Sequence, residues 1–122
     1  MFSIDPTLAL ISRDLDACTL RQAVYASNVA NVNTPGYQPL EVSFEASLGA
    51  AARALNGAPI DAQSDILDSI RPTVTPAAAA TVELDQQVGL MAQNAIHYET
   101  LVNAFERSMG LLRLAILEGK NG

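Results

Sequence analysis

The sequence contains no tryptophan, one cysteine, one histidine, and seven basic residues against thirteen acidic ones. Each shortage excludes something. The lone Cys18 rules out an intramolecular disulfide and a cysteine-based metal cluster; its place in an apolar helical pattern reads as ordinary burial. The basic residues are scattered and the formal net charge is −6, so the chain lacks the electrostatic footprint of a nucleic-acid or anionic-membrane binder. No aromatic stands between Phe44 and Tyr98, which leaves the middle third short of large packing anchors. The opening Met1-Phe2-Ser3-Ile4-Asp5-Pro6 has neither the basic start nor the apolar run of a signal peptide. No segment approaches the roughly 20 apolar residues of a membrane span. The expectation is a cytosolic protein, or one that leaves the cytosol without a cleaved signal.

What is present is apolar periodicity at both ends. Asp5-Pro6 supplies an N-cap acceptor and a proline for the first helical position. Leu8, Ile11, Leu15, Cys18, Gln22, Tyr25, Val29 and Val32 then follow at steps of three and four, which predicts a helix from about Pro6 to Ala30, roughly 38 Å long. In the C-terminal third, Val88, Met91, Ala95, Tyr98, Val102, Phe105, Met109, Leu112 and Ile116 repeat the same steps without a break. Asp85 reads as the cap and Gly119 as the stop of a helix about 50 Å long. The two seams are expected to pair as a coiled-coil couple. A second row on the C-terminal helix, Leu90, Asn94, His97, Leu101, Ala104, Ser108, Leu111 and Ala115, has a shorter counterpart in Ala17, Leu20 and Val24. Two helices cannot bury two seams each, so neighbouring subunits are the expected cover.

The fold class read from this pattern is mainly α. Two long terminal helices pack as a coiled coil around a loop-rich, partly disordered middle, in a single structural domain. The segments are 1–38 (first helix and corner), 39–80 (middle) and 81–122 (last helix). Within the middle, Glu45 to Leu55 predicts a short helix ended by Asn56-Gly57. From Ala58 to Ala80 three prolines and a four-alanine run give no strong period. That stretch allows a short extended piece around Arg71 to Val74 and is expected to be mobile in the isolated subunit.

Between helix and middle lies "SNVANVNTPGYQP", Ser27 to Pro39. Pro35-Gly36 fits the centre of a type II turn, proline presetting φ and glycine taking the positive value. Asn31 and Asn33 tolerate left-handed geometry and bond nearby backbone. Asn28 and Asn31 share one side of the last helical turn. The expectation is a stiff corner from which Tyr37 projects with its hydroxyl free for a partner.

The stretch "LRQAVYASNVANVNTPGYQPLEVSFEASL" resembles the N-terminal signature of bacterial flagellar rod, hook and hook-associated axial proteins. "PLEVSF" and the short length are most similar to the proximal rod type. The C-terminal "TVELDQQVGLMAQNAIHYETLVNAFERSMGLLRLAILEG" is similar to the same family's closing helix, with Gln87 where an acidic residue is usual. The resemblance covers about residues 8–50 and 81–119. It implies a structural subunit whose terminal helices pack as coiled coils around a channel, exported unfolded through the flagellar type III apparatus and assembled as a periplasmic rod in the basal body. Implied partners are other rod proteins, copies of the chain itself, the basal-body membrane ring with its rod adaptor, and the export apparatus. On this reading the subunit interface draws on Asn28, Asn31, Asn33, Pro35, Gly36 and Tyr37 at the corner. It also draws on Leu8, Ile11, Leu15, Leu20 and Val24 of the first helix, and on Leu90, Tyr98, Leu101, Val102, Phe105, Met109, Leu112 and Ile116 of the last.

Chemistry is expected to be absent. His97 stands in the sequence without a cysteine or second imidazole and reads as a packed or partner-facing side chain, so no metal and no cofactor are expected. Asp61, Asp65 and Asp68 fit no calcium loop and read as solvated acids. Ser27, His97 and an aspartate supply triad residue types without a nucleophile elbow or oxyanion loop. Two other readings remain open: a different short axial component, and a type III secretion chaperone or adaptor. A chaperone should be helical and melt sharply as a dilute monomer, whereas a rod subunit should be largely disordered there.

Overall fold

The computed structural model describes residues 6 to 121. The first helix, α1, is Pro6–Ala30, followed by strand β1 (Leu40–Ser43), helices α2 (Glu45–Leu55) and α3 (Ile60–Asp68), strand β2 (Thr73–Pro76), and helix α4 (Leu84–Asn121). The architecture is mainly α, with the two long terminal helices packed together. They run antiparallel: Asn28 meets Gln87, Cys18 meets Asn94, and Asp14 meets His97, so positions fall on α1 as they rise on α4.

α1 has the expected bounds. α4 is longer than expected at both ends. Asp85 lies inside its first turn instead of capping it, and Gly119 does not stop it. With 25 and 38 residues, α1 and α4 measure about 37 and 57 Å.

The middle departs most from expectation. It contains a nine-residue helix, α3, and an antiparallel two-stranded sheet pairing Leu40 with Pro76 through to Ser43 with Thr73. α3 begins directly after Pro59 and carries Asp61 in its first turn, a favourable start that too few residues repeat for a period to show. β2 is shifted two residues beyond the expected Arg71–Val74 piece, leaving out Arg71 and Pro72, and ends on Pro76, which has no ladder N–H to give. Ala77 N–H donates to the Pro39 carbonyl at 2.8 Å and carries the pairing one step further.

This middle forms a core of its own. Phe44, Ile70, Ala17, Ala51 and Leu67 are buried together, with Ala9 and Leu10 of α1 packed against them. One aromatic suffices because Ala17 and Ala51 present so little bulk that Phe44 and Ile70 close onto α1. The second side of α1 is thus covered by its own chain, where the sequence pointed to a neighbour. Two ion pairs rim the contact: Arg13 with Asp68 at 3.3 Å, and Arg21 with Glu45 in the first turn of α2. Burial pushes the Glu45 carboxyl up, but the backbone N–H groups at the helix start and the Arg21 guanidinium hold it below its ordinary value.

Candidate functional site: the corner and the outer row of the last helix

The corner is built around Asn28, which is 1 % exposed. Its Oδ1 accepts from the Leu40 N–H and from the Tyr37 hydroxyl, both at 3.0 Å. Its Nδ2 donates to the Leu40 carbonyl at 2.9 Å and to Gln87 Oε1 at 3.0 Å. The backbone of Leu40 fixes which end of the amide is which, since its N–H can only donate and its carbonyl only accept. One side chain therefore ties the end of α1 to β1, to the turn and to the start of α4.

Around it the loop is satisfied locally. Asn31 Nδ2 donates to the Ser27 carbonyl at 2.8 Å, Thr34 Oγ1 to Asn31 Oδ1 at 3.1 Å, and Tyr37 N–H to the Thr34 carbonyl at 3.2 Å. That last bond closes the expected turn, with Gly36 at φ +74°. Asn31 and Asn33 do not take left-handed geometry; among the described residues only glycines have positive φ. Nothing lies within 4 Å of where a Gly36 Cβ would stand, so a side chain there meets only the backbone cost. Gly36→Val is expected to lower stability by about 1–2 kcal/mol, read as a lower thermal midpoint, with Gly36→Ala costing less.

These contacts correct the expected corner. Asn28 does not belong to an exposed face, and the Tyr37 hydroxyl is not free: it donates to Asn28 and lies 3.3 Å from Ser27 Oγ. Asn33, Pro35 and Gly36 are exposed, and Asn31 and Tyr37 half-buried. Gln87 is buried and acts as the acceptor for Asn28. Its spacing of seven from Asn94 was the available signal, since both face α1.

The helix pair carries a second difference. The α4 row meeting α1 is the more polar one. Asn94, 8 % exposed, donates to the Cys18 carbonyl at 2.8 Å and to Gln22 Oε1 at 2.9 Å. Leu90 and Leu101 of that row are half-buried. The more apolar row was expected to face α1. Instead Val88, Tyr98, Leu112 and Ile116 are 52, 41, 37 and 56 % exposed, and Met91, Val102, Phe105 and Met109 are half-buried at its edge. On α1, Leu8 and Val24 are buried and Ile11, Leu15 and Leu20 half-buried. From Gly110 to Lys120 every residue of α4 is exposed, including Leu111, Leu114 and Leu117.

His97, read from sequence as lacking a cysteine, lies beside Asp14 and Cys18 across the helix pair. Ser27 bonds Tyr37 while His97 pairs with Asp14, so the triad residue types fall into separate polar clusters. Asp61, Asp65 and Asp68 are exposed on α3.

The family model described as "Flagella basal body rod protein" matches residues 15–38, the end of α1 and the corner. A Bacillus subtilis (strain 168) protein, "Flagellar basal body rod protein FlgB", is 26 % identical over 123 positions, covering 93 % of this chain and 95 % of that one. The Borrelia hermsii protein of the same name is 51 % identical over 39 residues, 32 % of this chain and 29 % of that one. The chain is similar to flagella basal body rod proteins, closely over this segment and at lower identity over nearly its whole length. The matched segment is the one that Asn28 organises into a corner held by internal hydrogen bonds. No described helix is long and apolar enough to cross a membrane.

Proposed function

We propose that this chain is a structural subunit of the bacterial flagellar basal-body rod, of the proximal type, joining the membrane ring to the drive shaft. The carrying observation is the outward apolar row of α4 from Val88 to Ile116 with its wholly exposed end. Exposed apolar strips of this length mark association surfaces. The occupants on this reading are the long helices of other rod proteins and further copies of this chain, with the membrane ring and its adaptor at the base. Assembly in the periplasm follows export through the flagellar type III apparatus.

Similarity to flagellar basal body rod proteins supports a structural role over an enzymatic one. The assembly-wide test is a deletion strain complemented with an epitope-tagged chain. The tag is expected in purified basal bodies, and the uncomplemented strain is expected to lack rods and to be non-motile. Full swimming without the chain would overturn the reading. Retention of the tag in the cytosol, bound to another axial protein, would replace it with the chaperone reading.

A further inference from the structure

We propose that Asp14, Cys18 and His97 form a binding site for a zinc-class divalent transition metal, clamping α1 to α4. The three side chains come from two helices, and their ligand atoms all lie within 4.8 Å of one another. Asp14 and Cys18 are four residues apart and share a face of α1. His97 reaches them from α4, its Nε2 3.3 Å from Asp14 Oδ2. Tetrahedral zinc with bonds of 2.0–2.3 Å sets its ligands about 3.5 Å apart, so the carboxylate and imidazole already stand at bonding separation. The third member needs only a small side-chain adjustment.

The surroundings suit such an ion. One turn away, Asn94 pins α4 to the Cys18 carbonyl and to Gln22, which fixes the height of His97 against α1. Cys18 is buried, whereas the His97 side chain is 48 % exposed, so an ion would reach the thiol from the His97 side. Thiolate, imidazole and carboxylate together favour Zn²⁺ or Co²⁺ over Mg²⁺ or Ca²⁺. Because a thiol ligates as thiolate, binding releases its proton to solvent, and the metal charge is balanced by one thiolate and one carboxylate.

The test is titration of the full reduced chain with Co²⁺ at neutral pH, with Zn²⁺ as competitor. The expected result is a saturable thiolate-to-cobalt charge-transfer band at one ion per chain, abolished by Cys18→Ser and displaced by Zn²⁺. His97→Ala, at a side chain half open to solvent, is expected to weaken binding by at least about tenfold, as loss of a ligand exceeds loss of an outer-shell partner. Circular dichroism of each variant checks that helicity is kept. No band with the folded chain, or a band that survives His97→Ala at unchanged affinity, overturns the site. The result is independent of the rod assignment, because it is read on the purified chain.

Discussion

Asn28→Ala is expected to destabilise the folded chain by about 3 kcal/mol or more, because it removes four hydrogen bonds, one of them fully buried, at about 1 kcal/mol or more each. The groups affected are the Leu40 N–H and carbonyl, the Tyr37 hydroxyl and Gln87 Oε1. Water cannot replace an amide at a site 1 % exposed without opening the joint between α1, β1 and α4. For a domain of this size that loss lowers the melting midpoint by roughly 10 °C or more. Asn28→Asp is no rescue: it keeps both acceptor contacts but loses both donors and sets a carboxylate against two oxygens. Asn33→Ala, exposed in the same loop, is expected to stay within about 0.5 kcal/mol of the parent. Urea or thermal unfolding followed by helicity, at a concentration where the parent is helical, compares all three. An Asn28→Ala midpoint equal to that of Asn33→Ala would mean that the hydrogen-bond network does not hold the corner.

That network also explains what the sequence disclosed and what it concealed. α1, α2 and the Pro35-Gly36 turn were legible because local signals agree: a proline at the first helical position, steps of three and four, and a glycine where φ must be positive. The face of α4 that meets α1 was not legible. Periodicity ranks rows by apolarity, and by that rule the Val88–Ile116 row should have been inside. But α1 presents buried polar groups to its partner at Asn28 and the Cys18 carbonyl, with half-buried Gln22 beside them, and buried polar groups must be paired. The row that can pair them is Gln87 and Asn94, so it faces inward and the apolar row is left outside. Choosing between the rows needs both helices at once. α3 and the small sheet were hidden for a different reason. Each is only a turn or two long, and each is defined by what Phe44 and Ile70 need to cover instead of by its own pattern. At the corner, richness in asparagine pointed to backbone bonding, as found, but not to which amide would be consumed internally.

The outward row makes the second large effect a clean one. Leu112→Asp and Leu117→Asp replace side chains that are 37 and 55 % exposed in the single chain. At a concentration where the parent is helical, single-chain stability should therefore change by no more than about 0.5 kcal/mol, the usual range for a surface substitution. In an assembled rod the same carboxylates would be removed from water without a built-in partner, a cost of several kcal/mol at each contact. Each 1.4 kcal/mol is a factor of ten in affinity, so association should weaken by about 100-fold or more and motility should be lost. Val102→Asp is expected to abolish assembly too. It is half-buried at the edge facing α1, so it should also damage the single-chain fold and is the less discriminating variant. Glu118→Ala, which removes a charge from the same exposed turn, serves as the control and should swim. Purified-chain melting and soft-agar motility, measured on the same set, separate folding from association. A Leu112→Asp strain that swims like its parent would place the α4 row in water in the finished rod, and the exposed leucines would then need another occupant.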